Sequence, residues 1–502
     1  YLTTITKGDT YMKSSITDTY RRLSTLSMFR SVNIQMKERL DDGQNLLDCH
    51  IYMTPAKKFA TSFESGVTHR DGLFGVSGSL VFRDRNVFKR SENGQFRIVG
   101  AVETTQPLTL VDVEGDVQSE VTENLRFNTF EIGPELEVKF NHWFPFGLNK
   151  FDKSNQPKSS LNLAFNYKDR PDYERRLTRL KYGLNFIENE AKGSHIFGFA
   201  ELSAINISKS EAFQNLLDAL NDDFLTNSYQ NHLIASLRGI WENRHRPSSR
   251  RTTSYNRTSL EVAGLLTRLA FNLADDFGWR GAELDETGSY QISGIRFAEY
   301  IKIDQDYRWY FKFDEKNTTA FRINGGLGVP LKNLGALPFD KSYFAGGSNG
   351  IRAWDPRTLG PGSFRDTKNE VTFNNVGEMK LLTSLEYRFN ITQSLEGAMF
   401  VDAGNIWFVN NNEIRPGGTF VLDEFLEQIA VGAGMGLRFD FDFFLIRFDV
   451  AAQMRDPSKV AGERWLWQPK DEYNAFLQDL SGAGRSSFRP VLNYNLGIGY
   501  PF

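Results

Sequence analysis

Residues 491–502 read VLNYNLGIGYPF, and their spacing decides how the rest of the chain is read. Leu492, Tyr494, Leu496, Ile498, Tyr500 and Phe502 fall on one face of an extended strand, opposite Asn493, Asn495, Gly497 and Gly499. The same period of two runs through Ile429, Val431, Ala433, Met435, Leu437 and Phe439, opposite Gly432, Gly434, Gly436, Arg438 and Asp440. Phe444, Ile446, Phe448 and Val450 oppose Arg447 and Asp449, and Met379, Leu381, Leu385, Tyr387 and Phe389 oppose Glu378, Lys380, Ser384, Glu386 and Arg388. Alternation alone also fits a soluble sheet with one wet face. Two features choose against that. These segments exceed the roughly 5–6 residues usual in globular sheets and match the roughly 9–11 tilted residues that cross a bilayer. Their second face is charged on several strands, which a water-filled lumen accommodates and a sandwich core does not.

Working back from this end, about sixteen such segments lie beyond Phe59, near 60–70, 72–83, 95–105, 126–140, 158–169, 176–190, 194–208, 229–242, 257–273, 293–311, 316–330, 375–391, 395–408, 428–441, 443–454 and 489–502. The fold class expected is therefore an all-β, sixteen-stranded antiparallel transmembrane barrel over residues 59–502. Long connections at 209–228, 274–292, 331–374, 409–427 and 455–488 alternate with tight ones such as 190–193, as unequal loop and turn ends of such a barrel predict. Links 141–157 and 243–256 are longer than that rule expects. Within 209–228, Phe213, Leu216, Leu217, Leu220 and Phe224 recur at helical spacing and predict an amphipathic helix on the loop rim.

Composition is compatible with this. Of 502 residues, 42 are Phe, and no run approaches the eighteen apolar residues of a membrane helix. The mean hydropathy of −0.42 reflects the cancelling of outward and inward rows in a barrel. Cys49 is the single cysteine, which excludes an internal disulfide framework. A net charge of −3 gives no general attraction to nucleic acid. The chain opens at Tyr1 without a signal-peptide pattern, and a processed or trimmed chain is expected.

Residues 1–58 differ in pattern from the barrel segments. Ile16, Tyr20, Leu23, Leu26 and Phe29 recur at helical spacing, with Thr17 or Asp18 as a cap, and strands are expected at Ser31–Met36 and Leu46–Met53. This is too small for a whole domain and reads as the end of one; the alternative is a linker folded on the barrel rim.

The segment Tyr343–Phe364, YFAGGSNGIRAWDPRTLGPGSF, lies within the long connection 331–374. A disordered loop is poor in aromatics, whereas this one carries Tyr343, Phe344, Trp354 and Phe364. It needs a wall to pack on, and Arg352 needs an anion there. Alternation places Phe400, Asp402 and Gly404 on the lumen face of one strand and Glu386 on that of the strand before it. Asp402 and Glu386 are the candidate acceptors, since a planar guanidinium suits paired carboxylate contacts. The competing arrangement pairs Asp402 with Arg388 or Arg447. The glycines Gly346, Gly347 and Gly350 lack the strand and helix of a phosphate loop and are given a conformational role. No H-E-x-x-H, G-x-S-x-G or Walker-type motif is present, so no catalytic residue, metal site or cofactor is expected.

These residues resemble a known family. Gly350-Ile351-Arg352-Ala353-Trp354 resembles the V-R-G-F/Y loop motif of the BamA/TamA superfamily of outer-membrane insertases. Phe400, Asp402 and Gly404 match its F-x-D-x-G strand motif, and Glu386 lies in an E-Y-R-F-like strand. In that family the loop between strands eleven and twelve enters the lumen and its arginine contacts these two acids; the segment count here puts residues 331–374 in the same place. Asn495–Phe502 is similar to the C-terminal signal of outer-membrane barrels. The seam and signal then comprise Asn493, Tyr494, Leu496, Gly497, Gly499, Tyr500 and Phe502. Thr19–Met53 is similar to the last part of a POTRA module, so residues 1–58 would be its C-terminal part, in the periplasm. Ala353 stands where the family usually has glycine, and with its flanks resembles TamA-like proteins of Bacteroidetes-type bacteria. The resemblance implies a non-enzymatic factor that inserts β-barrel or autotransporter-like clients through a lateral seam between first and last strands. Its expected partners are outer-membrane lipids and lipopolysaccharide, unfolded barrel clients, and a TamB-like assembly partner or accessory lipoproteins. A two-partner secretion pore and a passive transporter or porin are the alternatives.

Overall fold

Long alternating strands leave backbone donors and acceptors along both edges, and in lipid these are satisfied only when every strand pairs on both sides around a barrel. The computed structural model describes residues 3–41, 44–70, 73–104, 127–145, 157–189, 193–220, 226–227, 229–245, 251–276, 283–284, 288–292, 294–331, 333, 335–364, 375–411, 414–441, 443–459, 464–466 and 491–502. Helix α1 (Lys13–Ser24) packs on a separate hairpin, β1 (Phe29–Asp41) and β2 (Gln44–Pro55), around Leu23, Leu26 and Val32. The helix begins after Met12 without a side-chain cap, so Thr17 and Asp18 lie inside it, and Phe29 belongs to the strand.

The wall then runs through β3 (Phe59–Arg70), β4 (Leu73–Asp84), β5 (Asn93–Thr104), β6 (Phe127–Phe140), β7 (Lys158–Asp169), β8 (Tyr173–Asn189), β9 (Ser194–Lys209), β10 (His232–His245) and β11 (Thr252–Ala263). Three short strands come next, β12 (Glu283–Leu284), β13 (Tyr290–Ile292) and β14 (Ile295–Phe297). The wall resumes with β15 (Tyr300–Lys312), β16 (Asn317–Pro330), β17 (Met379–Asn390), β18 (Leu395–Trp407), β19 (Ala430–Asp440), β20 (Leu445–Arg455) and β21 (Leu492–Ile498). Leaving out the N-terminal hairpin and β12–β14, the described wall has sixteen strands, wound antiparallel into a barrel. The strand order sets β3 beside β21. Among the described residues every other neighbouring pair of wall strands has a residue-by-residue register, and this pair has none.

The outward rows carry exposed Leu237, Trp241, Ile303, Leu385, Met399 and Met435, as a lipid-facing surface requires. At the turn end, Trp309, Phe311, Phe313, Tyr387 and Phe389 form a chain of ring contacts 4.8–6.4 Å apart. Aromatic rings gather at such interfaces because one edge tolerates water while the body prefers lipid. The inward rows bury charge, including Glu386, Asp402, Arg438 and Asp449.

Four expectations need correction. The segment 293–311 is not one strand, because it is interrupted at 298–299 between β14 and β15. The segment 257–273 is not one strand: β11 stops at Ala263 and a helix, α3 (Leu265–Asp276), succeeds it. Gly264, at φ +75°, turns the chain where an alternating strand would have continued. The link 243–256 is shorter than expected because β10 extends to His245 and β11 starts at Thr252; most of link 141–157 lies outside the described residues. Finally, the last strand does not carry its alternation to the end. It stops at Ile498, Gly499 takes φ +81°, and Phe502 turns into the barrel. The helix expected in 209–228 is α2 (Glu211–Leu220), with Phe213, Leu216 and Leu217 buried against Tyr173 and Tyr229; Phe224 and the Leu220 side chain lie outside the described residues.

A charge placed on the outward row near the middle of a wall strand must be desolvated by lipid. Leu385→Arg is expected to destabilise the folded barrel by about 2–4 kcal/mol, read from the denaturant midpoint in phospholipid vesicles. An unchanged midpoint would mean that Leu385 does not face lipid.

Candidate functional site

The site begins with one face of four adjacent strands. Register places Glu386 of β17 opposite Phe400 of β18, and Asp402 opposite both Ser384 and Gly432 of β19. Gly432, Gly434 and Gly436 form the inward row of β19, and Asp449 lies on β20 opposite Gly436. The glycines leave a lane in the wall. A Cβ on Gly434 would lie 2.6 Å from the Phe400 ring, so the missing side chain is what admits that ring.

Into this lane comes the loop. Its base is tied down by paired backbone bonds of 2.8 Å between Tyr343 and Gly377. The Tyr343 hydroxyl donates to Asp304 Oδ1 at 2.7 Å, and its ring lies between the ammonium groups of Lys302 and Lys380. Farther in, Ala345 bridges to Leu359. The tip closes on itself: Gly347 N–H donates to the Trp354 carbonyl at 2.8 Å, and Gly350 N–H to that of Gly347 at 3.0 Å. Gly346 and Gly347 adopt positive φ in this turn. Ile351, Ala353, Trp354 and Leu359 are buried against Leu382, Phe400, Ile406, Ala430 and Ala451 of the wall.

Arg352 sits at the tip, 1 % exposed. Its Nε and Nη2 donate to the two oxygens of Asp402 at 2.8 and 2.9 Å, and its backbone N–H adds a third bond to Oδ2 at 3.1 Å. Nη1 donates to Glu386 Oε2. The guanidinium lies over the Phe400 ring, 3.3 Å from its centroid. Burial opposes the charge on this loop residue. The carboxylates of Asp402, Glu386 and Asp449 outweigh that cost and hold the guanidinium above its ordinary pKa. Glu386 is shared with Arg388 at 2.7 Å and Arg438 at 3.2 Å, and Arg438 also reaches Asp449. Arg388 thus pairs with Glu386, while Asp402 takes Arg352.

The last strand also reaches the loop. Asn493 and Asn495 side-chain amides both donate to the Arg352 carbonyl, at 3.1 and 2.8 Å. Gln453 of β20 donates to the Ala353 carbonyl at 3.2 Å. Arg447 donates to Asn349 Oδ1, and its side chain fills the space a Cβ on Gly497 would need. Ala353 abuts Gly432, where an added Cβ would stand 2.6 Å from the Ala353 methyl. The methyl at position 353 is therefore matched by its absence at 432. Gly404 crosses tightly against the Leu381 carbonyl. Tyr494, Leu496 and Ile498 project outward. Phe502 is buried inside, its carbonyl accepting from Arg388 Nη2 at 3.5 Å, and the Tyr500 ring lies 4.2 Å from the Arg388 guanidinium.

The inward parity of Asn495, Arg438 and Asp449 was readable from the alternation. Their partners were not, because which inward side chain meets a loop tip depends on barrel curvature and strand stagger. Gly432 was likewise visible only as one glycine among three.

Two predictions come from this geometry. Arg352→Ala leaves Asp402 and Glu386 buried without their shared cation, a loss of about 3–5 kcal/mol for the docked loop. It should be read as lost hydrogen-exchange protection at Tyr343, Gly347 and Arg357 while β17 and β18 stay protected; protected loop amides would contradict the anchor. Gly432→Ala is expected to cost about 1–3 kcal/mol by overpacking against Ala353, and Ala353→Gly should recover most of it in the double variant. Additive losses in the denaturant midpoint would show that the two do not touch.

Comparison with known proteins adds to this geometry. The structure superposes on that of BamA from Haemophilus ducreyi lacking POTRA domains 1–3 with a TM-score of 0.58 at 12% identity, covering 93% of this chain and 79% of that one. It superposes on CdiB from Escherichia coli with a TM-score of 0.50 at 10% identity, covering 90% and 68%. At such identities the likeness is one of fold. The model of the Omp85 superfamily domain matches residues 155–468, well over half of the sequence and including Arg352, Glu386 and Asp402. The chain is an outer-membrane β-barrel protein and belongs to the Omp85 superfamily.

Proposed function

We propose that this chain assembles β-barrel clients into the outer membrane through the junction between β3 and β21. The observation that carries the reading is the state of the last strand. β21 pairs with β20 over only Leu492–Ile498, whereas β3 and β4 pair over all twelve residues of each. Leu496 and Ile498 are 68 and 82% exposed, against 62% for Met435 on the doubly paired β19 and 42% for Phe448 on β20. A row this open has little cover from a neighbour on its far side. The turn at Gly499 and the proline at 501, which lacks a donor, end the strand early. A short, poorly covered junction opens at low cost, and its freed edges can template an incoming strand. Backbone pairing and burial of the client in lipid then supply the driving force.

The lumen supports the same reading over a passive transporter, because the Arg352 loop occupies the space that a solute would cross. In this proposal the loop end faces outward, and α1, β1 and β2 face the periplasm as the end of a POTRA module. That unit receives clients and an assembly partner, while lipid and lipopolysaccharide surround the wall. The TamA-like subtype rests on Ala353 and its neighbours in sequence.

The test is a disulfide lock in cells, with Cys49 replaced by serine and cysteines paired between Thr61–Gly66 of β3 and Asn493–Leu496 of β21. Locking should stop barrel assembly, and reductant should restore it. Normal assembly with the junction locked overturns the proposal. If export of a secreted chain fails only when the loop tip is cross-linked to the wall, the two-partner secretion reading replaces it.

A further inference from the structure

Past Ala263 the wall is completed by a different strand. β11 ends there, and the place it leaves beside β10 is taken by β14, which pairs in parallel, with His232 opposite Arg296 and Leu233 opposite Phe297. Laterally paired residues project to the same side of a sheet. Leu233 belongs to the outward row of β10, which continues to the exposed Leu237 and Trp241, so Phe297 also points out of the barrel. Yet Phe297 is fully buried. What covers it is α3. Phe271 lies over it with ring centroids 5.9 Å apart and stacks on Tyr290 at the same distance. Arg268 Nε donates to Glu299 Oε1 at 2.7 Å, and Nη2 reaches Oε2. Glu299, two residues before Ile301, shares its outward row and is likewise covered. Helix α3 therefore lies on the outside of the barrel.

Its other face has no cover among the described residues. Leu265, Leu266, Leu269 and Leu273 are 36, 60, 53 and 49% exposed, and the last three recur at helical spacing. In α2 the equivalent apolar face is buried in the loop cap. The leucine stripe starts where the lipid-facing belt ends. On β15 the outward row runs Ile301, Ile303, Gln305, Tyr307, Trp309, Phe311, from the loop end to the aromatic girdle. Ile301 is level with Val262 of β11, two residues before Gly264 and the helix. Apolar surface is thus continuous from the wall onto the helix.

We infer that α3 is an interfacial anchor, lying at the headgroup–acyl boundary of the membrane at the loop end with its leucine stripe among the lipid acyl chains. A helix with one apolar face and a polar remainder settles at that depth, and an exposed apolar stripe of this kind has a low cost only where water is absent. The helix comes directly after β11 and packs beside β15, the ninth and tenth of the sixteen wall strands. It therefore grips the membrane half a circumference from the β3–β21 junction and sets the depth of the wall on that side. This inference does not depend on the proposed assembly activity.

The test uses the full chain with Cys49→Ser and Leu269→Cys carrying an environment-sensitive fluorophore, folded into phosphatidylcholine vesicles whose acyl chains are brominated near the headgroup. Emission should fall to the same extent as for a label at Leu260→Cys on the wall, with no response to aqueous iodide. Leu273→Cys should behave alike. Quenching by iodide and not by bromolipid would overturn the inference, placing the stripe in water. Shielding from both quenchers would also overturn it, with a second copy of the chain as the occupant.

Discussion

A guanidinium in a dry interior is tolerated only beside its counter-charges, and Arg352 is such a group at the tip of a long loop. Desolvation of Arg352 is offset because Asp402 presents both oxygens to a planar fork and Glu386 takes the remaining nitrogen. The arrangement has little slack. Phe400 beneath the guanidinium, the glycine lane of β19, and the match of Ala353 to Gly432 all require the loop to enter at one depth and one angle. Around the pair, Arg388, Arg438, Arg447 and Asp449 extend the charge cluster across β17, β19 and β20. Removing one member of such a network leaves the others buried without a counter-charge, so the position of the loop is tied to all of them.

The same residue joins two separate parts of the barrel. Its side chain is held by β17 and β18, while its carbonyl receives two amides from β21. Displacing β21 outward breaks both of those bonds, so the loop and the junction are mechanically linked through one backbone oxygen. Arg388 repeats the theme at the end of the strand, contacting Glu386 on one side and Phe502 on the other. The inward turn of the chain at Gly499 is what brings Phe502 there. Loop plug, charged wall and strand end thus form one connected assembly in the lumen.

The wall is also asymmetric around its circumference. At β21 the ladder is short and its outward row is open; across the barrel, β14 continues the sheet and α3 straps its outer face. Helices α2 and α3 have similar apolar content and opposite fates. One closes the loop end over Tyr173 and Tyr229, and the other turns its leucines away from the protein. The difference lies in where each helix leaves the wall.

Strand number, inward and outward rows, the loop's place after the eleventh strand and the residue types at its tip were all legible in the sequence, because a period of two is written residue by residue and needs no knowledge of neighbours. The alternation failed where the backbone departed from it. At Gly264 and Gly499 a single positive φ ends the strand, and the apolar residues beyond, Leu266 to Leu273 and Phe502, keep their chemistry but change their surroundings. The spacing of Leu266, Leu269 and Leu273 after a glycine was the available sign of a helix there. That Asp402 goes to Arg352 and not to Arg388 or Arg447, which amides hold the Arg352 carbonyl, and which side of the wall α3 covers were decided only by the tertiary structure. Those contacts join residues far apart in the chain, and barrel stagger and curvature, set by all the strands together, determine which of them come within reach.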